Sequence, residues 1–284
     1  MICASFSGIE AAILSSNQGF YTALIERELL GGFNLLSRGS SFNYVREKAS
    51  KHFNFKGKSE EDISKEYKLN KQKFEKILDK MRHFRLKKSE SISYKMITES
   101  YGIDLYFGQG SFASENTISI NNNNITFKNC IISTGSRPII PKIEGLNTIN
   151  YYTIDTIMNL NTLPEKIIII GGSEEACEYA QLFADIGSEV ILITYDDSIL
   201  SQYDDNVIKI VSSLLKSKRV KIYVNTIVIK LSLENIENPD SDIPWIMNIS
   251  MDQDGNVINM SFNCILIAEN TEVKLISLVL KILD

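Results

Sequence analysis

The stretch that decides the fold reads PEKIIIIGGSEEACEYAQLFADIGSEVILIT, residues 164–194. An apolar strand runs into a glycine turn and a helix, and a second apolar strand follows. This order is that of a βαβ unit, in which the helix crosses over between two parallel strands. The stretch therefore predicts an α/β fold built on a parallel sheet.

The turn of this unit departs from the dinucleotide pattern G-x-G-x-x-G. In that pattern the first glycine permits a tight turn and the second lets the backbone approach a pyrophosphate. The three positions are Gly171, Ser173 and Ala176, and Glu174 and Glu175 lie at the helix start, where the pyrophosphate would bind. A carboxylate there is stabilised by the helix dipole and repels a phosphate. We therefore expect these glutamates to cap the helix themselves, which puts NAD(P)H binding in doubt.

A second copy of the motif falls at the N-terminus on Cys3, Ser5 and Gly8, where only the last glycine is retained. In such units an acidic residue for the ribose follows the turn by about 20 residues. Glu26 follows Gly8 by the same interval that separates Ala176 from Thr194, so the first unit keeps this carboxylate and the second has lost it. Only two residues precede Cys3, fewer than a strand of ordinary length needs, which indicates a shortened gene model, a fragment or a decayed strand.

Composition bounds the class of protein. Hydrophobic residues make up 44% and charged residues 23% of the 284, with a net charge of −5, which is typical of a globular protein and gives no case for nucleic acid or a membrane surface. No apolar run reaches the length of a membrane span, and the N-terminus lacks a signal-peptide pattern. A reducing compartment such as the cytoplasm is the default. Residues 43–92 hold half of the lysines and arginines, and we interpret them as solvated helices rather than a surface for RNA or an acidic partner.

Cysteine and histidine usage gives no metal or disulfide pattern. The two histidines make a histidine-based metal site improbable, so no metal ligands are assigned. The four cysteines lie far apart with no CxxC pair, and we expect buried free thiols at Cys3, Cys130, Cys177 and Cys264.

Periodicity places the remaining elements. It predicts a helix over Ile9–Asn17, a strand at TALIE ending at Glu26, a helix over Asn206–Lys218, and short antiparallel strands between 101 and 133. Residues 43–100 are predicted to be helical, with an apolar face made of Leu69, Phe74, Ile77, Leu78, Met81 and Phe84. Asn121–Asn124 and Asp254-Gly255 are predicted hairpin turns.

Four landmarks occur in a recognisable order, namely the opening through LIERELLGG, GQGSF at 108–112, STGSRP at 133–138, and the IIGG…E…A unit at 169–180. In this order and spacing the chain resembles the front part of the FAD-dependent pyridine nucleotide-disulfide oxidoreductases. The branch it most resembles contains mercuric reductases and dihydrolipoamide dehydrogenases. The resemblance implies an α/β fold with two Rossmann-like domains, the first incomplete, each with a small antiparallel β unit.

The resemblance also implies a domain layout and a set of cofactor residues. Residues 1–148 would form an incomplete FAD-type domain that includes the charged helical segment 43–100, residues 149–270 an NAD(P)-type domain, and residues 271–284 the beginning of a return to the first domain. The FAD pocket would include Gly8, Glu26, Gly31, Gly32, Gly110, Thr134 and Gly135. The second pocket would include Gly171, Gly172 and Glu178.

The chain departs from the family at its redox centre. After Gly31-Gly32 the family carries two cysteines four residues apart, whereas this chain reads FNLLSRGSSFNY at 33–44. Serine cannot replace a thiolate in disulfide chemistry. The lysine that pairs with the glutamate matching Glu178 is replaced by Asn43 or Tyr44, which leaves Glu178 without that partner. The C-terminal dimerisation domain with its His-Glu pair has no counterpart, so no catalytic residues are assigned.

Three readings of the function remain open. The chain could be a flavoprotein relative, with FAD binding weakened or lost, that passes electrons from NAD(P)H to an acceptor other than a disulfide. It could instead be a pseudoenzyme that acts as a binding or scaffold protein. It could also be a fragment of a gene model with no independent function.

Overall fold

The computed structural model describes residues 4–27, 30, 39–52, 60–91, 96–234 and 246–273. Contacts divide the chain into two compact units. Unit 1 contains residues 1–44, 80–137 and 271–284, and unit 2 contains residues 45–79 and 138–270. The assignment of an FAD-type and an NAD(P)-type domain stays a prediction.

Unit 1 is built around a short parallel pair. Helix α1 (Phe6–Asn17) leads to strand β1 (Ala23–Glu26), which pairs in parallel with β2 (Asp104–Phe107). The prediction that the segment at 104–107 belongs to an antiparallel unit is wrong, because this segment pairs in parallel with β1. The antiparallel unit is made of the next three strands, β3 (Gly110–Ser114), β4 (Thr117–Ile120) and β5 (Asn123–Thr126). The last two strands of the unit form a separate pair, β6 (Ser136–Pro138) with β15 (Thr271–Val273).

The two faces of β1 serve two apolar cores. Leu24 belongs to a cluster with helix α1 residues such as Ile9, whereas Ile25 packs with Phe112 and Ile118 of the antiparallel unit. Neighbouring side chains of a strand point to opposite faces, so one four-residue strand joins both clusters. Each fully buried side chain of this size contributes about 1.5–3 kcal/mol.

The charged region forms two helices, α2 (Gly39–His52) and α3 (Glu60–Ser91). Four of the predicted apolar positions of α3 are buried, namely Phe74, Ile77, Leu78 and Met81. Phe84 is half-buried and stacks on Tyr44 with ring centroids 5.2 Å apart. The prediction for Leu69 is wrong, since it is 52% exposed and its neighbour Asn70 is buried instead. Position 70 precedes Phe74 by four residues and so lies on the buried stripe, whereas Leu69 lies beside it.

Unit 2 contains a five-stranded parallel sheet. The elements are β7 (Tyr152–Thr153), β8 (Lys166–Ile170), α4 (Glu174–Ile186), β9 (Glu189–Ile193), α5 (Asp205–Ser217), β10 (Lys221–Tyr223) and β14 (Cys264–Ile267). The strand order is β10-β9-β8-β14-β7, so the isoleucine strand β8 is central. Its residues Ile167–Ile170 are all buried, as expected for a strand covered on both faces.

A three-stranded antiparallel sheet completes unit 2. It consists of β11 (Thr226–Glu234), β12 (Ile246–Gln253) and β13 (Asn256–Phe262), in that order. Ile249 and Met251 of β12 share a buried cluster with Ile168 of β8, so the two sheets pack on each other. Asp254 and Gly255 have φ values of 53° and 83°, which confirms the predicted two-residue hairpin turn. The α/β class is confirmed, and among the described helices none is long and apolar enough to span a membrane.

Candidate functional site

The first candidate turn is closed by Ser5. This residue is the N-cap of α1, with extended backbone, and its hydroxyl accepts from the backbone N–H of Gly8 at 3.4 Å. The same hydroxyl donates to the carbonyl oxygen of Ser133 at 3.3 Å. The serine at the second motif position therefore binds the helix start and the segment that leads to Thr134.

Glu26 lies at the end of β1, beside the same turn. It is 5% exposed, and its Oε2 accepts from the backbone N–H of Ala4 at 2.6 Å while Oε1 accepts from that of Arg27 at 2.8 Å. The carboxylate is therefore held in one orientation at the position that the motif interval indicates for the ribose. Its role toward a ribose stays a prediction from the motif spacing.

The other predicted residues of this pocket differ in their burial and packing. Gly8 is buried in α1. Gly110 lies in β3, where a Cβ would come within 3.3 Å of Ile25 Cγ2, so packing explains this glycine. Gly135 is exposed with φ +71°, and no atom of the described chain lies within 4 Å of its Cβ position, while Thr134 beside it is half-buried. The hydrogen bonds of Ser5 to Gly8 and Ser133, and of Glu26 to Ala4, connect the α1 turn, the end of β1 and the segment before Thr134. The predicted residues Gly31 and Gly32 lie outside the described residues.

The second candidate turn needs its glycines for packing. Gly171 has φ +131°, and a Cβ there would lie 2.2 Å from the carbonyl oxygen of Ala268. A Cβ on Gly172 would lie 2.8 Å from Thr194 Oγ1. Thr194 is buried, and its hydroxyl accepts from the backbone N–H of Asp196 at 3.2 Å. The position that would offer a carboxylate to a ribose therefore carries a buried hydroxyl.

Ser173 repeats in unit 2 the arrangement of Ser5 in unit 1. It is the N-cap of α4, its hydroxyl accepts from the N–H of Ala176 at 3.2 Å, and it donates to the carbonyl of Ala268 at 2.9 Å. Both serines stand at the second glycine position of their motifs, which is a signal that the sequence carries. The two turns are therefore closed by the same pair of hydrogen bonds.

The two helix starts differ in charge. The first turn of α1 has no acidic residue, whereas that of α4 contains Glu174 and Glu175. The carboxylate of Glu174 accepts from the hydroxyl of Tyr203 and from its own backbone N–H, and these bonds hold its pKa below the usual range. Tyr203 belongs to the segment after β9, far away in sequence, and no sequence pattern pointed to this contact. The start of α4 therefore carries negative charge beside its N-terminal amides, whereas the first turn of α1 carries none.

Glu178 has a cationic neighbour that the sequence did not reveal. Burial raises the pKa of Glu178, and the positive charge of Arg46 on α2 opposes that rise. The expectation that Glu178 lacks a partner for want of a lysine at 43 or 44 therefore needs correction. Arg46, two or three residues further along α2, supplies the positive charge.

The described thiols have the properties of structural cysteines. Burial raises the pKa of both Cys177 and Cys264 to about 12, and it raises the pKa of the half-buried Cys130 as well. Within the described ranges, no three His, Cys, Asp or Glu side chains are grouped to hold a metal ion. These thiols are therefore poor nucleophiles at neutral pH.

Comparison with known proteins agrees with this architecture. The chain matches the family model of the "Pyridine nucleotide-disulphide oxidoreductase" over residues 2–260. It is 32% identical to a mercuric reductase of Staphylococcus aureus over 129 residues, which are 45% of this chain and 24% of the relative. It is 28% identical to a dihydrolipoyl dehydrogenase of Acholeplasma laidlawii over 231 residues, 79% of this chain and 67% of that protein.

A solved structure extends the likeness to the whole fold. The HOCl-induced flavoprotein disulfide reductase RclA from Escherichia coli superposes with a TM-score of 0.79 at 20% identity, covering 99% of this chain and 58% of that one. The match confirms the Rossmann-like architecture. The chain spans little more than half of this structure and about a quarter of the mercuric reductase. By its family match, the chain belongs to the pyridine nucleotide-disulphide oxidoreductases.

Proposed function

We propose that this chain is an FAD-binding member of the family that does not reduce disulfides and whose nicotinamide site is impaired. The observation that carries the proposal is the contrast between two equivalent turns. The turn at α1 keeps a positioned carboxylate, Glu26, and a helix start free of acidic side chains. The turn at α4 has lost the ribose carboxylate and gained two glutamates.

In unit 1 the residues can be assigned to the parts of FAD. Glu26 would accept the ribose hydroxyls, and the N-terminal amides of α1 would face the pyrophosphate. Gly135, open and with positive φ, would let the backbone come close to the cofactor. When bound, FAD would supply two-electron redox chemistry.

The absence of disulfide reductase activity follows from the chemistry of sulfur. Residues 33–44 contain no cysteine, although the family places its redox pair there. The buried thiols cannot substitute, because a cysteine with a pKa of about 12 is ionised in only about one molecule in ten thousand at pH 8. Any electron transfer would therefore end on an acceptor other than a disulfide.

The names of the relatives support redox chemistry without fixing the substrate. One relative is a mercuric reductase and another a dihydrolipoyl dehydrogenase, and each is longer than the part that this chain matches. A second candidate function is that of a pseudoenzyme acting as a binding or scaffold protein. The self-capped turn at α4 favours it, because this feature preserves the fold at the expense of a cofactor contact.

One preparation tests the proposal. The purified chain is mixed with FAD and desalted, and its absorbance near 450 nm gives the bound flavin. We expect stoichiometric flavin in the wild type, a large loss in Glu26→Ala, and no loss in Glu10→Ala, which changes an exposed glutamate of α1. We also expect no reduction of lipoamide or of a small aromatic disulfide. A folded but colourless protein would support the scaffold reading, and turnover of either disulfide would contradict the proposal.

A further inference from the structure

We propose that Glu174 is an internal anion that occupies the pyrophosphate position of the α4 turn, and that Tyr203 locks it there. The inference deepens the proposed impairment of the nicotinamide site and rests on that part of the proposed function. It is independent of whether unit 1 binds FAD.

The first step concerns the amides at the start of α4. A helix leaves its first N–H groups without backbone partners, and a dinucleotide pyrophosphate uses these groups. In this turn the Ser173 hydroxyl accepts from the N–H of Ala176, and the carboxylate of Glu174 accepts from its own N–H. Side chains of the turn thus already take two of the donors that a ligand would need.

The second step concerns what holds Glu174 in place. The segment after β9 crosses the turn, because the N–H of Leu200 donates to the carbonyl of Gly172 at 2.7 Å. The N–H of Tyr203 then donates to the carbonyl of Leu200 at 2.8 Å, which fixes the tyrosine backbone near the turn. From there the phenol hydroxyl of Tyr203 reaches the carboxylate of Glu174. A ligand would have to break this bond before reaching the amides.

The third step concerns the surrounding charge. Glu175 lies on the same turn, and Glu269 follows β14, where burial and the nearby charge of Asp196 raise its pKa. A carboxylate and a phosphate both carry negative charge. A phosphate that displaced Glu174 would therefore lie near like charges, which repel it. Two effects therefore oppose the binding of an anion at this turn. The Glu174 carboxylate occupies the position, and the neighbouring carboxylates repel negative charge.

The test distinguishes occupation of the position by the Glu174 carboxylate from general repulsion by negative charge at the turn. Glu174→Ala removes the internal anion, and Glu175→Ala is a matched control with the same charge change on the same turn. Calorimetric titration of each variant of the 284-residue chain with NADH, and separately with ADP as the pyrophosphate-containing fragment, gives dissociation constants. We expect wild type and Glu175→Ala to bind neither ligand below millimolar concentration, and Glu174→Ala to bind both at least tenfold more tightly than Glu175→Ala.

Tyr203→Phe is a second variant that keeps both glutamates and removes only the lock. We expect it to bind ADP more tightly than wild type does, but less tightly than Glu174→Ala. Equal affinities for Glu174→Ala and Glu175→Ala, or micromolar binding of NADH to the wild type, would overturn the inference. Thermal melting confirms that each variant is folded. Flavin absorbance, measured in a separate experiment, tests the FAD assignment of unit 1 without reference to the α4 turn.

Discussion

Replacing the buried carboxylate of Glu26 by an amide tests whether this side chain organises the first turn. Glu26→Gln keeps the size of the side chain and one acceptor oxygen. The wild-type carboxylate accepts from the N–H groups of Ala4 and Arg27, so the amide NH₂ of glutamine must face one of these donors. One hydrogen bond is lost, and the other becomes a bond between neutral groups.

The magnitude follows from these two bonds. A hydrogen bond to a charged group contributes about 1.5–3 kcal/mol, and the remaining neutral bond contributes about 1 kcal/mol. Because Glu26 is 5% exposed, water cannot replace the missing partner well. We therefore expect unit 1 to lose about 2–5 kcal/mol of its free energy of unfolding.

Native-state hydrogen exchange with mass spectrometry measures this loss unit by unit. Peptides from α1 and β1 should exchange about 30- to 4000-fold faster in Glu26→Gln, since 1.4 kcal/mol corresponds to a factor of ten. Peptides from β8 and β9 of unit 2 should be unchanged. Glu10→Gln on the exposed face of α1 is the control and should change exchange by less than about threefold.

Two results would refute the reasoning. If Glu26→Gln behaves like Glu10→Gln, the two backbone hydrogen bonds do not stabilise the turn. If exchange accelerates equally in both units, the carboxylate acts on the whole chain rather than on the first turn.

Three further substitutions or treatments have clear expected outcomes. Gly171→Ala should lower the free energy of unfolding by more than about 3 kcal/mol in urea denaturation, because its Cβ would lie 2.2 Å from the Ala268 carbonyl at a φ of +131°. Phe74→Ala should cost about 3–5 kcal/mol in the same assay, since the ring is 1% exposed and packs on an aromatic neighbour in α4. Cys177 and Cys264, studied with the other cysteines changed to serine, should react with an aromatic disulfide reagent at pH 8 at least about a thousandfold more slowly than a free thiol, because burial raises their pKa to about 12.

Each of these has a control. Gly135→Ala places a Cβ where no described atom lies within 4 Å, so it should cost only the strain of its positive φ, about 1 kcal/mol. Leu69→Ala, at a 52% exposed position of α3, should change stability by less than about 0.5 kcal/mol. The thiols should react fully in denaturant. Three outcomes would contradict the packing on which these predictions depend. They are a small loss of stability in Gly171→Ala, a large loss of stability in Leu69→Ala, or fast reaction of the thiols in the native protein.

Local patterns were enough to predict several elements. The βαβ unit at 164–194 was predicted from its apolar runs and its glycines, because strand and helix periodicities are properties of neighbouring residues. The same holds for the hairpin at Asp254-Gly255, where the turn type requires positive φ. Motif spacing also singled out Glu26, whose role toward a ribose stays a prediction.

Predictions failed where the deciding partner is distant in sequence. The residue pattern of β2 does not indicate which strand it pairs with, so it was assigned to an antiparallel unit. Its partner is β1, some 80 residues earlier in the sequence. Leu69 was placed on the buried face because a leucine is apolar, although Asn70 stands on the stripe that tertiary packing buries.

The sequence by itself determined the fold class and the family, since both follow from the local order and type of the residues. Tertiary structure alone decided which charges meet. It placed Arg46 near Glu178 and the hydroxyl of Tyr203 on Glu174, pairs separated by more than a hundred residues and by about thirty. Electrostatic interactions and hydrogen bonds depend on distance in space, and only the packed chain sets that distance.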